Sequence, residues 1–260
     1  LILVADIMRK IGATVTHDQH SSGGCDILIW SSEASGASID HVVQVYSPAL
    51  VCDIADGRDV CVDDGPVLEE FELQAATGLV DTTGFADAES VPSRVPFVAV
   101  STALYAVSAI LVAVLKGMSG RISVSRYLSA VGSLTSFLPS ALLGYSPSRI
   151  GNAHPASSPW NAYPTSDGWL LICTSKDEQW NNLCSVAKEP ALEIEAFRLQ
   201  SDRILLRQEV DAALSTWTRT LTTDECAEKL LKVGVPVGPI LRMSDLDKEK
   251  NIRWRQPALI

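Results

Sequence analysis

The chain has 260 residues and a mass of 27.9 kDa, with 47% apolar and 20% charged residues. These proportions exclude a disordered chain and fit one large domain or two small ones. Its 21 basic and 31 acidic residues leave a net charge of −10, and an acidic surface argues against nucleic acid as a partner.

Ile2 to Ile11 has the spacing of a short helix closed by Gly12, and Ala13 to Thr16 enters a strand. Asp26 to Trp30 is a short apolar run, the pattern of a buried strand. Val42 to Asp53 carries two more β-rich runs, broken at Ser47-Pro48. Strands alternating with short helices predict a parallel sheet. Gly23-Gly24 lacks the full glycine fingerprint of a dinucleotide loop. Val67 to Ala76 has helical spacing, with Leu68, Phe71 and Ala75 on one side, and Thr77-Gly78 ends it.

Phe97 to Leu115 then runs uncharged for 19 residues between Arg94 and Lys116. That length could cross a membrane. Ser101, Thr102, Ser108 and five alanines instead suit close packing, so we read a buried or interface helix and no membrane partner. Ile122 to Ser125 alternates like a half-buried strand, and a further helix follows toward Leu143, running through Pro139 or ending before it.

From Gly144 the chain turns loop-like. Trp160 to Tyr163 and Trp169 to Thr174, joined through Asp167-Gly168, predict a β-hairpin. Amphipathic helices follow over Asp177 to Val186, Asp202 to Trp217 and Thr223 to Lys232, the last with capping character at Thr222 to Glu225. Gly234 to Ile240 reads as a tight turn into a short strand. The six cysteines form no CxxC pair and the four histidines are scattered. No spacing suggests zinc, and reduced thiols in a cytoplasmic protein are the expectation.

The segment Gly151-Asn152-Ala153-His154-Pro155, followed by Pro159-Trp160-Asn161-Ala162-Tyr163-Pro164-Thr165-Ser166-Asp167-Gly168-Trp169, resembles a hallmark of the family III CoA-transferases. That family includes formyl-CoA and carnitine CoA-transferases and the related α-methylacyl-CoA racemases. Gln179-Trp180, Leu183-Cys184 and Gly234-Val235-Pro236-Val237-Gly238-Pro239 fit the same pattern. So do Ile11 to Val15, Asp26 to Ile29 and Gly120 to Ser125 upstream.

The resemblance implies an α/β fold. Residues 1–143 would form a Rossmann-like domain with long apolar helices, incomplete relative to the family, and residues 144–245 a smaller α+β domain. Residues 246–260 would begin a segment returning to the first domain. It also implies interlocked oligomers, and either a fragment or a chain whose missing segments come from elsewhere. The implied substrates are CoA or acyl-CoA and carboxylic acids, with no metal. An aspartate attacks the thioester to give a mixed anhydride, and the released CoA thiolate then attacks that anhydride.

The sequence departs from this pattern at the reacting positions. Leu128 stands where the resemblance expects the nucleophilic aspartate, and Ala99 where racemases carry theirs. No histidine lies between His41 and His154, and Ser31-Ser32-Glu33 replaces an arginine-proline-glycine that contacts CoA phosphate. Ser129 and His154 are the remaining catalytic candidates. Asn152, His154, Arg94 and Arg149 are the candidates for CoA or substrate contact, with Lys116 as a further cation. Asp53, Asp63 and Asp64 read as a solvated loop, His17, His20 and His41 as surface, and Trp160, Trp169, Trp180 and Trp217 as packing. Three functions stay open: CoA transfer, a silent homologue or half that partners an active copy, and a racemase relative.

Overall fold

Period-two alternation builds the first part of the fold. In this computed structural model, which describes residues 1–15, 24–31, 38–55, 68–135, 137–145 and 149–248, three parallel strands form a sheet. They are β1 (Ile27–Trp30), β2 (Leu50–Ala55) and β3 (Gly120–Ser125), in the order β1-β2-β3. One face carries Ile27, Ile29, Leu50, Cys52, Ile54, Ile122 and Val124. It packs on α1 (Ile2–Lys10) through Val4 and Met8, and on the long apolar helix Phe97–Leu115. That helix meets the core with Ala103, Ala106, Val107, Ile110 and Ala113 at three- and four-residue spacing, and its three alanines permit close approach. By length and composition it could cross a membrane. Its opposite side, with Leu104, Val112 and Leu115, is exposed.

Several local expectations need correction. Residues 39–46 form helix α2 (Ile39–Tyr46), not a strand. Its Ile, Val and Tyr residues favour strands, but Ile39, Val42, Val43 and Tyr46 fall at helical spacing and are the half-buried ones. Ala13 to Val15 have no strand conformation, although Ala13 and Val15 still pack on the sheet core. β1 is half-buried, because among the described strands it has only β2 beside it. In α3 (Glu70–Ala76) Leu73 and Gln74 point inward while Phe71 and Ala75 are exposed. Leu73 joins Val98 and Ala130 in a small core cluster. With the long helix as α4, the segment after β3 forms two helices, α5 (Arg126–Gly132) and α6 (Phe137–Leu142). Pro139 lies in the first turn of α6, where a missing N–H breaks no helical bond.

Contact density divides the chain into Leu1–Arg149 and Ile150–Ile260. In the second unit an antiparallel sheet has the order β4 (Trp160–Pro164), β5 (Trp169–Cys173), β6 (Val237–Pro239). Against it lie α7 (Asp177–Ala187), α8 (Gln200–Leu205), α9 (Arg207–Thr218) and α10 (Thr223–Lys232). The core includes Tyr163, Ile172, Trp180, Leu183, Leu214 and Leu230. The single helix expected over 202–217 is split at Leu206. Trp180 and Trp217 are core residues and Trp160 is half-buried, but Trp169 is exposed.

Two carboxylates organise the start of α10. Asp167, from the hairpin turn, accepts the Thr223 N–H and hydroxyl, both at 2.8 Å. Thr222 and Glu225 form a reciprocal capping box. Bonds from Thr223 hold the Asp167 carboxyl below its usual range, and bonds from Thr222 do the same for Glu225. A depressed folded-state pKa contributes stability above the unfolded value and loses it as pH falls through the folded one. The thermal midpoint should therefore drop as pH is lowered from about 5 toward 3. Asp167→Asn should flatten that drop in melts followed by circular dichroism; an unchanged profile in the variant would contradict this assignment.

Candidate functional site

The β3–α5 junction sets the first part of the site. Ser125 caps α5, its Oγ accepting the Leu128 N–H at 3.1 Å. Leu128 is 49% exposed, an apolar side chain at the position where the resemblance expects a carboxylate. Ser129 is only 4% exposed, and its hydroxyl donates to the Ser125 carbonyl at 2.7 Å. Ser133 donates to the Ser129 carbonyl at 2.9 Å and lies 3.2 Å from the Ser101 hydroxyl. The Ser129 proton thus meets a backbone acceptor rather than a base, an arrangement that serves helix packing and does not activate a nucleophile.

A residue that sequence reasoning missed caps α4. The N-cap position there is Pro96, which offers no side-chain acceptor. Glu70 fills the role from 28 and 29 residues away, accepting the N–H groups of Val98 at 2.9 Å and Ala99 at 3.0 Å. Gln74, one turn on, donates to Glu70 at 2.8 Å and bonds the Ser93 N–H at 2.8 Å and its carbonyl at 3.2 Å. A proline in the N-cap position was the available signal, since it supplies no side-chain acceptor for the first N–H groups of the helix.

Arg149 reaches back to the loop before α4. It donates to the carbonyls of Phe85 at 3.4 Å, Asp81 at 3.4 Å and Ala88 at 3.3 Å, and to the Asp81 carboxylate at 3.4 Å. Its guanidinium is therefore engaged in holding residues 81–88. Arg94 and Lys116 are exposed. Asp53 is not in a solvated loop: it lies in β2, is 5% exposed and pairs with Arg121. His41 is exposed. His17, His20, Ser32, Glu33, Asp63, Asp64 and residues 249–260 of the expected return segment lie outside the described residues.

The hallmark segment is built as a fixed loop in the second unit. Asn152 is exposed and His154 half-buried. The His154 N–H donates to the Trp160 carbonyl at 3.1 Å, and the two rings face each other at 4.6 Å. His154 Nδ1 accepts the Ala156 N–H at 3.1 Å. Three charged residues spaced four apart on 203–211 hold this loop. Arg203 Nε donates to the Ser158 carbonyl at 2.9 Å, and Arg207 Nη2 to the His154 carbonyl at 2.8 Å and that of Pro155 at 3.3 Å. Asp211 accepts the Asn161 amide at 2.8 Å and the Tyr163 hydroxyl. Burial, with the Asp211 carboxylate beside it, pushes the Tyr163 hydroxyl pKa well above its usual value. The structure thus brings His154, Trp160 and Arg207 together, while Arg94 and Arg149 belong to the first unit. The Cys52, Cys184 and Cys226 thiols are raised to about 11, mainly by burial, which makes them poor nucleophiles near neutral pH. Among the described residues, no group of three or more His, Cys, Asp or Glu could hold a metal ion.

Comparison with known proteins fits this mixed α/β architecture. The sequence profile of CoA-transferase family III matches residues 70–257, well over half of the chain, and the chain belongs to that family. It is 30% identical to the acetyl-CoA:oxalate CoA-transferase of Acetobacter aceti over 192 residues, 66% of this chain and 46% of that protein. It is 25% identical to the succinate–glutarate CoA-transferase of Agrobacterium fabrum over 192 residues, 72% of this chain and 48% of that one. A crystal structure of a CAIB/BAIF family protein from Brucella suis superposes with a TM-score of 0.71 at 26% identity, covering 89% of this chain and 64% of that one. The chain spans about half the length of these two curated relatives.

The cap is open to a direct test. Glu70→Ala should lower the unfolding free energy by about 1–2 kcal/mol in urea titrations, the cost of leaving a helix end without its side-chain acceptor. Leu128→Ala, at an exposed position, should change it by under about 0.5 kcal/mol. Equal effects of the two substitutions would contradict the assignment of Glu70 as the cap.

Proposed function

We propose that this chain binds CoA or an acyl-CoA and takes part in the transfer of CoA between carboxylic acids. The observation that carries this reading is the fixed loop 151–163, which keeps the family's residues in a rigid setting within the region matched by the family profile. The named relatives act on oxalate, succinate and glutarate, and that likeness supports a short dicarboxylic acid as one of the two acids. His154 and Asn152, both in the second unit, are the proposed thioester-side contacts.

A second reading is favoured by Leu128. Family chemistry needs a carboxylate oxygen to form a bond to the thioester carbonyl carbon while the thiolate leaves. A leucine supplies no such oxygen, and the buried Ser129 hydroxyl donates to the Ser125 carbonyl rather than to a base. On this reading the chain keeps the CoA pocket and serves as the companion of an active copy of the same family. The exposed apolar side of α4 supports association with another protein surface. A cytoplasmic location is part of the same proposal, supported by cysteines 25, 52, 173, 184 and 226 standing as free thiols. The racemase alternative has little support, because Ala99 carries no acid or base and its N–H is taken by Glu70.

Calorimetric titration with CoA and acetyl-CoA tests the proposal. Saturable binding of either ligand is expected, and Leu128→Asp should raise acetyl-CoA:oxalate transfer at least tenfold over the parent chain, about 1.4 kcal/mol of barrier. Absence of binding to both ligands would overturn the CoA-pocket reading. Equal transfer by parent and variant would overturn the role assigned to position 128.

A further inference from the structure

We infer that Arg207 is the positioning residue of the 151–163 loop, and that it fixes His154 as a neutral imidazole carrying its proton on Nε2. His154 is thereby a hydrogen-bond donor and not a base. The inference rests on the reading above that this loop meets the acyl-CoA.

The geometry is carried by two consecutive carbonyls. Arg207 Nη2 lies 2.8 Å from the His154 oxygen and 3.3 Å from the Pro155 oxygen. Gripping both fixes the bend at Pro155, and that bend returns the Ala156 N–H to His154 Nδ1 at 3.1 Å. A backbone N–H can only donate, so the nitrogen facing it has no proton, and in the neutral ring the proton must sit on Nε2. The Trp160 ring at 4.6 Å restricts the imidazole's rotation. A donor at Nε2 suits the oxygen of a thioester carbonyl, which gains negative charge when its carbon is attacked.

The arrangement leaves a buried polar atom unmatched. Among the described residues Arg207 Nε is buried without a hydrogen-bond partner, and such groups in native proteins call for an explanation beyond packing. Arg203 and Asp211, one turn to either side, use their polar atoms on Ser158, Asn161 and Tyr163. They set the ends of the segment, whereas Arg207 is the one of the three that grips the His154 carbonyl.

The test is 15N–1H spectroscopy of the full chain labelled at histidine, with the His154 signals assigned by their loss in His154→Gln. The parent chain should give two well-separated ring nitrogen resonances, the protonated one being Nε2. Arg207→Gln should move the two toward each other, and Arg207→Lys, which keeps a cationic donor, should restore much of the separation. A parent spectrum with the proton on Nδ1, or averaged between the two nitrogens, would overturn the proposal even if no variant folds. An unchanged His154 pattern in folded Arg207→Gln would overturn it as well. Acetyl-CoA added to the parent should shift the Nε2 signal. If it does not, while the variants behave as expected, the positioning role stands and the acyl-CoA reading of the loop fails.

Discussion

Each unit depends on charged side chains that travel far along the chain to satisfy buried backbone groups. Arg203 is the clearest instance. Its guanidinium is fully buried, yet it bonds the carbonyls of Ser158, Phe197 and Arg198, the Gln200 amide oxygen and the Asp177 carboxylate, and lies 5.0 Å over the Trp180 ring. Burying such a charge is tolerable only when its donors are met, so the surrounding segments have little freedom to move without it. Glu70 has the same relation to the first unit, where it supplies the acceptor that α4 lacks at its own start. The hallmark loop inherits its shape from this device through Arg207 and Asp211.

That rigidity bears on what the protein does. The family profile spans both the loop and the β3–α5 junction, and position 128 within it is a solvent-facing leucine. Folding and catalysis place different demands on this position. An exposed helix-start residue contributes little to packing, so a leucine can replace a carboxylate there at small cost to stability. On the proposed reading, the same replacement removes the atom that would attack the thioester. On that reading the chain keeps its fold while its chemistry depends on a carboxylate from elsewhere.

What the sequence disclosed follows the range of the interactions. The Thr222–Glu225 cap and the 160–173 hairpin are readable because their determinants lie within a few residues of one another. The parallel sheet is readable from its short apolar runs. Helix α2 is not, because Ile39 to Tyr46 is rich in residues that favour strands, and helical spacing over eight residues is a weak signal. Glu70 was invisible for a different reason: its partners stand 28 and 29 residues on, and no local pattern ties them together. The same holds for Arg203, Arg207 and Asp211, whose spacing of four marks one helical face but does not say what that face grips. The resemblance identified the loop; only the fold could reveal what holds it.

The central proposal is that this member of CoA-transferase family III supplies no nucleophile of its own, with Leu128 at the position where the resemblance expects one. Intact-mass spectrometry of the parent chain after incubation with acetyl-CoA, with peptide mapping of any addition, tests it most directly. The account predicts an unmodified mass with no acetyl or CoA adduct. A stoichiometric adduct mapping to Ser129, to another residue of α5 or to any carboxylate of this chain would contradict it.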